Sequence, residues 1–253
     1  MQAILNGTVY TPSRIIPQGV VLVERGRIVA VGSAAQVTPP AGAEILDARG
    51  EIVCPGLVDI HVHGGDGGDC SAGTAEAVRA MARRHFRAGT TSLLATTASA
   101  PLATLWRACD AIVEVMRHPL PGEARVLGIH WESNFFSVAQ RGAHPAELLA
   151  MPSAAERERL LGYAPDLVRL TIAPEREGAL GMIREFSQRG VLVSGGHSDA
   201  FYEQVCRAMD AGMRHITHLW SGMSLMRRIG PKRYSGMLEA ALVEDGLTGE
   251  IIA

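Results

Sequence analysis

From Leu57 onward, short apolar runs alternate with amphipathic stretches. LVDIHV, TSLLATT, ARVLGIH, LVRLTI, VLVSGG and RHITH have the length of strands. Between them lie patterns of helical period, among them TAEAVRAMARRHFRAG and GALGMIREFSQRG. Strand and helix in turn predict parallel strands covered on both faces. Before Leu57 the rhythm is different. AILNGTVY, GVVLVERGRIVAVG with a tight turn at Arg25-Gly26, and AEILDARG after a Pro/Gly-rich stretch read as short strands separated by turns. The chain is therefore expected to divide into a small β module over 1–54 and an α/β portion over 55–253.

The polar residues that close successive strands are His61 and His63, Thr96 and Thr97, Glu132, Glu175, His197 and His218. In a parallel α/β barrel the C-terminal end of every strand opens into the active site. A doubly wound sheet gathers its ligand only near a switch point. Polar ends on strand after strand favour a (β/α)8 TIM-type barrel. Six strands are clear, and EIIA at 250–253 reads as the start of a seventh, following a helix that includes MLEAALVED. An eighth is missing, so the barrel is expected to be incomplete. Its open edges would invite pairing with other chains, which favours a fragment over a sheet closed by a partner.

Composition narrows the function. The 253 residues are 47% apolar, with a formal net charge of -2 and 24 basic residues scattered along the chain. Nucleic-acid binding would need a clustered basic face, and none is seen. Cys54, Cys70, Cys109 and Cys206 form no C-x-x-C pair, which predicts neither a zinc ribbon nor a disulfide scaffold and suits a reducing cytoplasm. No signal-peptide pattern opens the chain and no apolar run reaches about 18 residues, so neither export nor a membrane span is expected.

The candidate chemistry lies at the strand ends. In DIHVHGG, His61 and His63 are two apart on a strand and leave the same face, a pair suited to gripping one metal ion. The same parity turns His130 and Glu132 inward together, and a carboxylate at that depth must meet a cation or shift its pKa. His197 and His218 are 21 residues apart, about one strand, helix and loop, so adjacent strands would present them side by side. One carboxylate with two to four histidines is a hydrolytic metal pattern. Zinc and iron both suit these ligands. His85, His118 and His215 are read as packing or supporting residues. Glu175 is balanced between ligand and helix start, and Thr96 and Thr97 between substrate contact and strand-end hydrogen bonding. The glycines of HGGDGGD lack any phosphate-loop spacing and are expected to form a close-approach loop over the metal.

Seven strings, PGLVDIHVHGGDGGD, AGTTSLLATTAS, GIHWES followed by QRGAHP, LTIAPE, VSGGHSDA, HITHLWSGMS and LEAALVEDGLTGEIIA, resemble in their order the N-acetylglucosamine-6-phosphate deacetylases of the amidohydrolase superfamily. The resemblance covers nearly the whole chain. It implies a (β/α)8 barrel with a small β-sandwich built from both chain ends, a homodimer, and removal of acetate from an amino sugar phosphate. It implies one or two ions of zinc or iron, with Glu132, His197 and His218 as principal metal ligands and His61 and His63 matching the pair that holds a second ion in the family's two-metal members. Ala143, His144, Ser221 and Gly222 fall at substrate contacts, the last two where many members have Asn-Ala. Arg228 is the choice for the phosphate, with Arg227 and Arg233 as alternatives. Where the family reads H-x-E-G-P, this chain has His130, Trp131, Glu132, Ser133, Asn134. The family's proton-handling aspartate is expected beyond Ala253, leaving no general acid or base among these residues.

The expected activity is thus hydrolysis of N-acetyl-D-glucosamine 6-phosphate to D-glucosamine 6-phosphate. The alternatives are a weakly active or non-catalytic metal- and sugar-phosphate-binding fragment, and a sister amidohydrolase acting on another N-acyl substrate. Many sister enzymes use a carboxylated lysine, and the one lysine here, Lys232, is in a loop.

Overall fold

A computed structural model describes residues 1–252. Contacts divide the chain into two compact units, Met1–Leu57 and the residues from Val58 onward. The first is a sheet of β1 (Gln2–Tyr10), β2 (Ile15–Glu24), β3 (Arg27–Ser33), β4 (Glu44–Asp47) and β5 (Ile52–Val53), ordered β3-β2-β1-β4 with β5 also on β1. Its β2–β3 hairpin pairs Glu24 with Arg27. The two residues between them, Arg25 and Gly26, have φ of 49° and 73°, the doubly positive turn that fits strand twist. Period-2 alternation gives this sheet two apolar clusters, Ala3, Val20 and Leu22 in one and Val9, Ile16 and Val21 in the other.

The second unit opens with β6 (Leu57–Val62), all but its first residue, then the small hairpin β7 (Gly64–Gly65) and β8 (Gly68–Asp69), and α1 (Ala75–Arg87). It continues with β9 (Thr90–Thr97), α2 (Leu102–Arg117), β10 (Arg125–Trp131), α3 (Ala154–Leu161), β11 (Leu167–Ile172), α4 (Ala179–Gln188), β12 (Leu192–Gly195), α5 (Tyr202–Ala211) and β13 (His215–Ile216). A second hairpin, β14 (Arg227–Ile229) and β15 (Lys232–Tyr234), precedes α6 (Met237–Val243) and β16 (Thr248–Gly249). Seven strands form one sheet in the order β16-β13-β12-β11-β10-β9-β6. The ladders from β9 through to β16 are all parallel. This order follows the chain without reversal, which is the winding of a barrel and not of a doubly wound sheet. The sheet is an incomplete (β/α)8 barrel.

Each helix buries one stripe on this sheet. In α1, Val78, Met81 and Ala82 are buried, and the Thr74 side chain caps the first turn by accepting from Ala77 N–H. Leu93, Ile112, Ile129, Leu170, Ile183 and Phe186 belong to the continuous core between sheet and helices. Inward strand positions are polar instead. Thr96, His130, Arg169, Thr171, Ser194 and Thr217 are all fully buried, where barrel interiors are ordinarily filled by branched aliphatic side chains.

Two expectations need correction. The seventh strand is Thr248–Gly249 and not 250–253. Glu250 still exchanges main-chain hydrogen bonds with Ile216 and Leu219, but its side chain turns to Arg169, and Ala253 lies outside the described residues. The glycine loop after His63 makes its close approaches to itself and to α1. A Cβ on Gly64 would lie 2.3 Å from Gly68 O, and one on Gly68 would lie 2.2 Å from Ala77 O. No helix among the described residues is long and apolar enough to cross a membrane.

Candidate metal centre

Strand alternation delivers the donors. Val62 packs in the core, which turns His61 and His63 to the opposite face of β6. Trp131 lies between Trp106 of α2, 5.4 Å away, and Phe135, 5.8 Å away, so His130 and Glu132 face inward. His197 and His218 each lie two residues past a strand, β12 and β13, and have φ of 47° and 30°. Left-handed backbone at residues other than glycine is costly, and such strain collects at functional sites.

All four imidazoles meet one carboxylate. Glu132 is 1% exposed. Its Oε1 lies 3.2 Å from His197 Nε2 and 3.0 Å from His218 Nε2. Its Oε2 lies 3.1 Å from His61 Nε2 and 3.0 Å from His63 Nε2. Within each pair the two Nε2 atoms are 3.1 Å apart. His197 Nδ1–H donates to Gln140 O and His218 Nδ1–H to Ser221 O, both at 3.0 Å. These bonds fix the tautomer and leave each Nε2 as a lone pair. Two lone pairs and a carboxylate oxygen thus converge with no hydrogen to share. The chemistry of that donor set fits a divalent cation, and the two carboxylate oxygens address separate histidine pairs.

Electrostatics agree with the geometry. Burial disfavours charge on Glu132, but the four imidazoles around it, His197, His218, His61 and His63, hold its pKa well below the usual carboxylate range. Burial also opposes charge on His61, yet the bonds to Glu132 and Glu250 raise its pKa to about 9. At neutral pH the cluster therefore draws in positive charge, as a proton on His61 or as a cation in its place.

His144 borders the same cluster, with one ring nitrogen within 4.8 Å of ligand atoms of Glu132 and His197. Its ring stands edge-on to His197 and Phe136 at 4.5 and 4.7 Å. Nδ1 accepts the Ser99 N–H at 3.3 Å, which leaves Nε2–H as a donor. Burial first, and then the neighbouring His197, lower its pKa to about 4, so the ring is neutral at pH 7. Ala143 is exposed beside it. Ser221 supplies the carbonyl that orients His218, and a Cβ on Gly222 would lie 3.0 Å from His197 Nδ1.

The arginines divide. Arg227 is held by both carboxylate oxygens of Asp199 at 2.6 Å and stacks 4.1 Å over Phe201. Arg228 is exposed, bonds Gly230 O through Nε, and pairs across the hairpin with Arg233. Neither Arg228 nor Arg233 has an acidic partner among the described residues.

Other residues have structural employment. Glu175 accepts from Ser198 Oγ and Asp199 N–H, which ties down the loop after His197 and uses the carboxylate. Thr96 Oγ1 takes the Val62 N–H and bonds His130 Nδ1, and Thr97 Oγ1 bonds Ser133 Oγ. His215 Nδ1 bonds Thr248 Oγ1, His85 bonds Gly64 O, and His118 bonds Glu114 O. Two residues absent from the sequence-based site are Arg169 and Glu250, which form a buried ion pair at 2.6 Å next to His61. The signal for Arg169 was available: a charge in the middle of LVRLTI, a run otherwise fit for burial, demands a partner.

Comparison with known proteins places this arrangement. The N-acetylgalactosamine-6-phosphate deacetylase of Escherichia coli O157:H7 is 36% identical over 215 residues, 85% of this chain and 56% of that protein. The N-acetylglucosamine-6-phosphate deacetylase of Bacillus subtilis (strain 168) is 31% identical over 251 residues, 97% of this chain and 61% of that protein. The chain thus spans little more than half the length of these relatives. The crystal structure of N-acetyl-D-glucosamine-6-phosphate deacetylase from Mycobacterium smegmatis superposes with a TM-score of 0.84 at 32% identity, over 99% of this chain and 68% of that one. A mutant of that enzyme, solved in complex with N-acetyl-D-glucosamine-6-phosphate, gives a TM-score of 0.83 at 31% identity, over 99% and 62%. Residues 52–240, which carry every strand end that meets at Glu132, match the model of the amidohydrolase family, and the chain belongs to that family.

Proposed function

We propose that this chain carries the metal-binding and substrate-facing part of a hydrolase that removes acetate from N-acetyl-D-glucosamine 6-phosphate, giving D-glucosamine 6-phosphate. The observation that carries the reading is the division of Glu132, one oxygen to His197 and His218 and the other to His61 and His63. It supports a site for two ions, zinc or iron, which Glu132 and the two histidine pairs would hold. When bound, such ions supply Lewis-acid activation of water and of the amide carbonyl.

The chain's own residues do the rest. His144, neutral and with Nε2–H uncommitted, donates to the acetyl carbonyl oxygen where negative charge develops. Phe136 and His197 hold that ring in place. Arg228, exposed and without a carboxylate partner, receives the phosphate with Arg233 beside it. Arg227 is spent on Asp199 and shapes the loop that follows His197. The carboxylates of Glu132, Glu175 and Glu250 are each engaged by protein partners, so none of them is assigned to shuttle a proton. Cytoplasmic residence fits four unpaired cysteines, and a homodimer follows from the family resemblance.

The test is acetate release from N-acetylglucosamine 6-phosphate and N-acetylgalactosamine 6-phosphate, with and without zinc or iron. Metal-dependent release from the glucosamine substrate is expected. Preference for the galactosamine epimer would move the assignment to that sister activity, and cleavage of other N-acyl compounds alone would overturn it.

A further inference from the structure

Beneath the four histidines the barrel interior holds a connected polar layer in place of packed aliphatic side chains. Arg169, wholly buried, donates to both carboxylate oxygens of Glu250, from Nη1 to Oε2 at 2.6 Å and from Nη2 to Oε1 at 2.8 Å. Nη2 also donates to Thr217 Oγ1 at 2.7 Å, and Thr217 joins Thr171, which bonds His130 Nε2. Glu250 turns its other face upward. Its Oε1 accepts from His61 Nδ1 at 2.7 Å and lies 3.2 Å from the His218 backbone N–H. A buried arginine and carboxylate cost desolvation that a hydrophobic pair would avoid, so their retention under the metal centre calls for a role.

We infer that Glu250, held by Arg169, is the positioning residue that sets the ring of His61 and so assembles the His61–His63 half of the centre. The inference rests on the two-ion reading above. The rings of His197 and His218 take their orientation from main-chain carbonyls, which no substitution at position 250 removes, and the Glu250 side chain reaches His218 only at its backbone N–H, at 3.2 Å. His61 takes its orientation from a side chain 189 residues away. With Nδ1–H committed to Glu250, His61 presents Nε2 to Glu132 Oε2. The Arg169 charge balances the carboxylate, so Glu250 offers a strong acceptor without adding a net negative charge beside the ions.

The two halves should therefore separate on substitution. Ion stoichiometry and stepwise affinity for zinc and for cobalt are measured in the wild type, Glu250→Ala and Glu250→Gln, with folding followed by circular dichroism and melting. Supporting side chains of this kind ordinarily carry about ten- to a hundredfold in metal affinity. The wild type is expected to bind two ions. Glu250→Ala should lose that factor at one ion and keep the other. Glu250→Gln should fall between them, because its amide oxygen still accepts from Nδ1–H. A role limited to neutralising Arg169 gives a different pattern, with Ala and Gln equally impaired or both ions weakened alike, and either result overturns the inference. Two ions at wild-type affinity in both variants also overturns it. A wild type that binds no second ion refutes the two-ion reading itself, whatever the variants do. Should the alanine variant not fold, the glutamine variant decides, with selective weakening of one ion expected.

Discussion

His197 and His218 point their Nε2 atoms at one another across 3.1 Å, each with Nδ1 already committed to a main-chain carbonyl. Facing lone pairs repel unless something positive lies between them, and Glu132 Oε1 adds a third acceptor to the same space. Glu132→Ala is therefore expected to abolish tight binding of both ions while leaving the barrel folded, since the apolar core lies between sheet and helices. Elemental analysis after dialysis should find about no metal, alongside a wild-type circular dichroism spectrum. Metal content equal to wild type would remove Glu132 from the centre.

His144 separates two roles that distance alone allows. Its nitrogen is close enough to Glu132 and His197 to ligate, but its proton inventory makes it a donor. His144→Ala should keep the full metal content and lose kcat by about a hundred- to a thousandfold, the range for deleting one donor to a developing oxyanion. Loss of an ion on that substitution would make His144 a ligand instead.

Much of this centre was legible in the chain. H-x-H at the end of β6, the Glu132 parity, and the separation of His197 and His218 follow from the period of a strand and the length of an α/β unit. The hydroxyl side chains of the buried polar layer were not, because they sit singly inside apolar strands: Thr171 between Leu170 and Ile172, Ser194 after Val193. Pattern reading assigns such residues to the apolar run that surrounds them. Glu250 was hidden for another reason. It reads as the first residue of a strand, and only the register of β13 with β16 reveals that it turns inward toward a partner 81 residues away. Glu175, balanced in the sequence between ligand and helix start, is a strand-end carboxylate that bonds the loop after His197.

Acidity bears on the metal-free protein in two windows of opposite sign. The pKa of His61 is raised from 6.5 to about 9, so its contribution to stability is complete below 6.5 and is lost as pH rises through 9. Glu250 has a pKa lowered from 4.5 to about 2 by His61 and Arg169, against the opposing effect of burial. Its contribution is present above 4.5 and is lost as pH falls toward 2. Metal must displace the His61 proton at neutral pH. Calorimetry in buffers of differing ionisation enthalpy should find about one proton released at pH 7 on filling the His61–His63 half, and affinity there should climb until pH 9. Binding with no proton release at pH 7 contradicts the assignment.

The neighbouring arginines of the β14–β15 hairpin should respond in opposite ways. Arg228 is exposed and pairs across the hairpin with Arg233, two like charges facing one another with only Gly230 O as a bonded partner. Such a pair is unfavourable until an anion joins it, and a charge-assisted hydrogen bond is worth about 1.5–3 kcal/mol. Arg228→Ala should therefore raise KM by about ten- to a hundredfold with kcat nearly unchanged, and the effect should vanish for a substrate that lacks the phosphate. Arg227→Ala removes the guanidinium that holds both oxygens of Asp199 two residues beyond His197. That variant should lower kcat and melting temperature together, and it should do so equally for phosphorylated and unphosphorylated substrates. If the phosphate dependence instead follows Arg227, the Asp199 pair opens when substrate binds, and Arg227 is the anion contact.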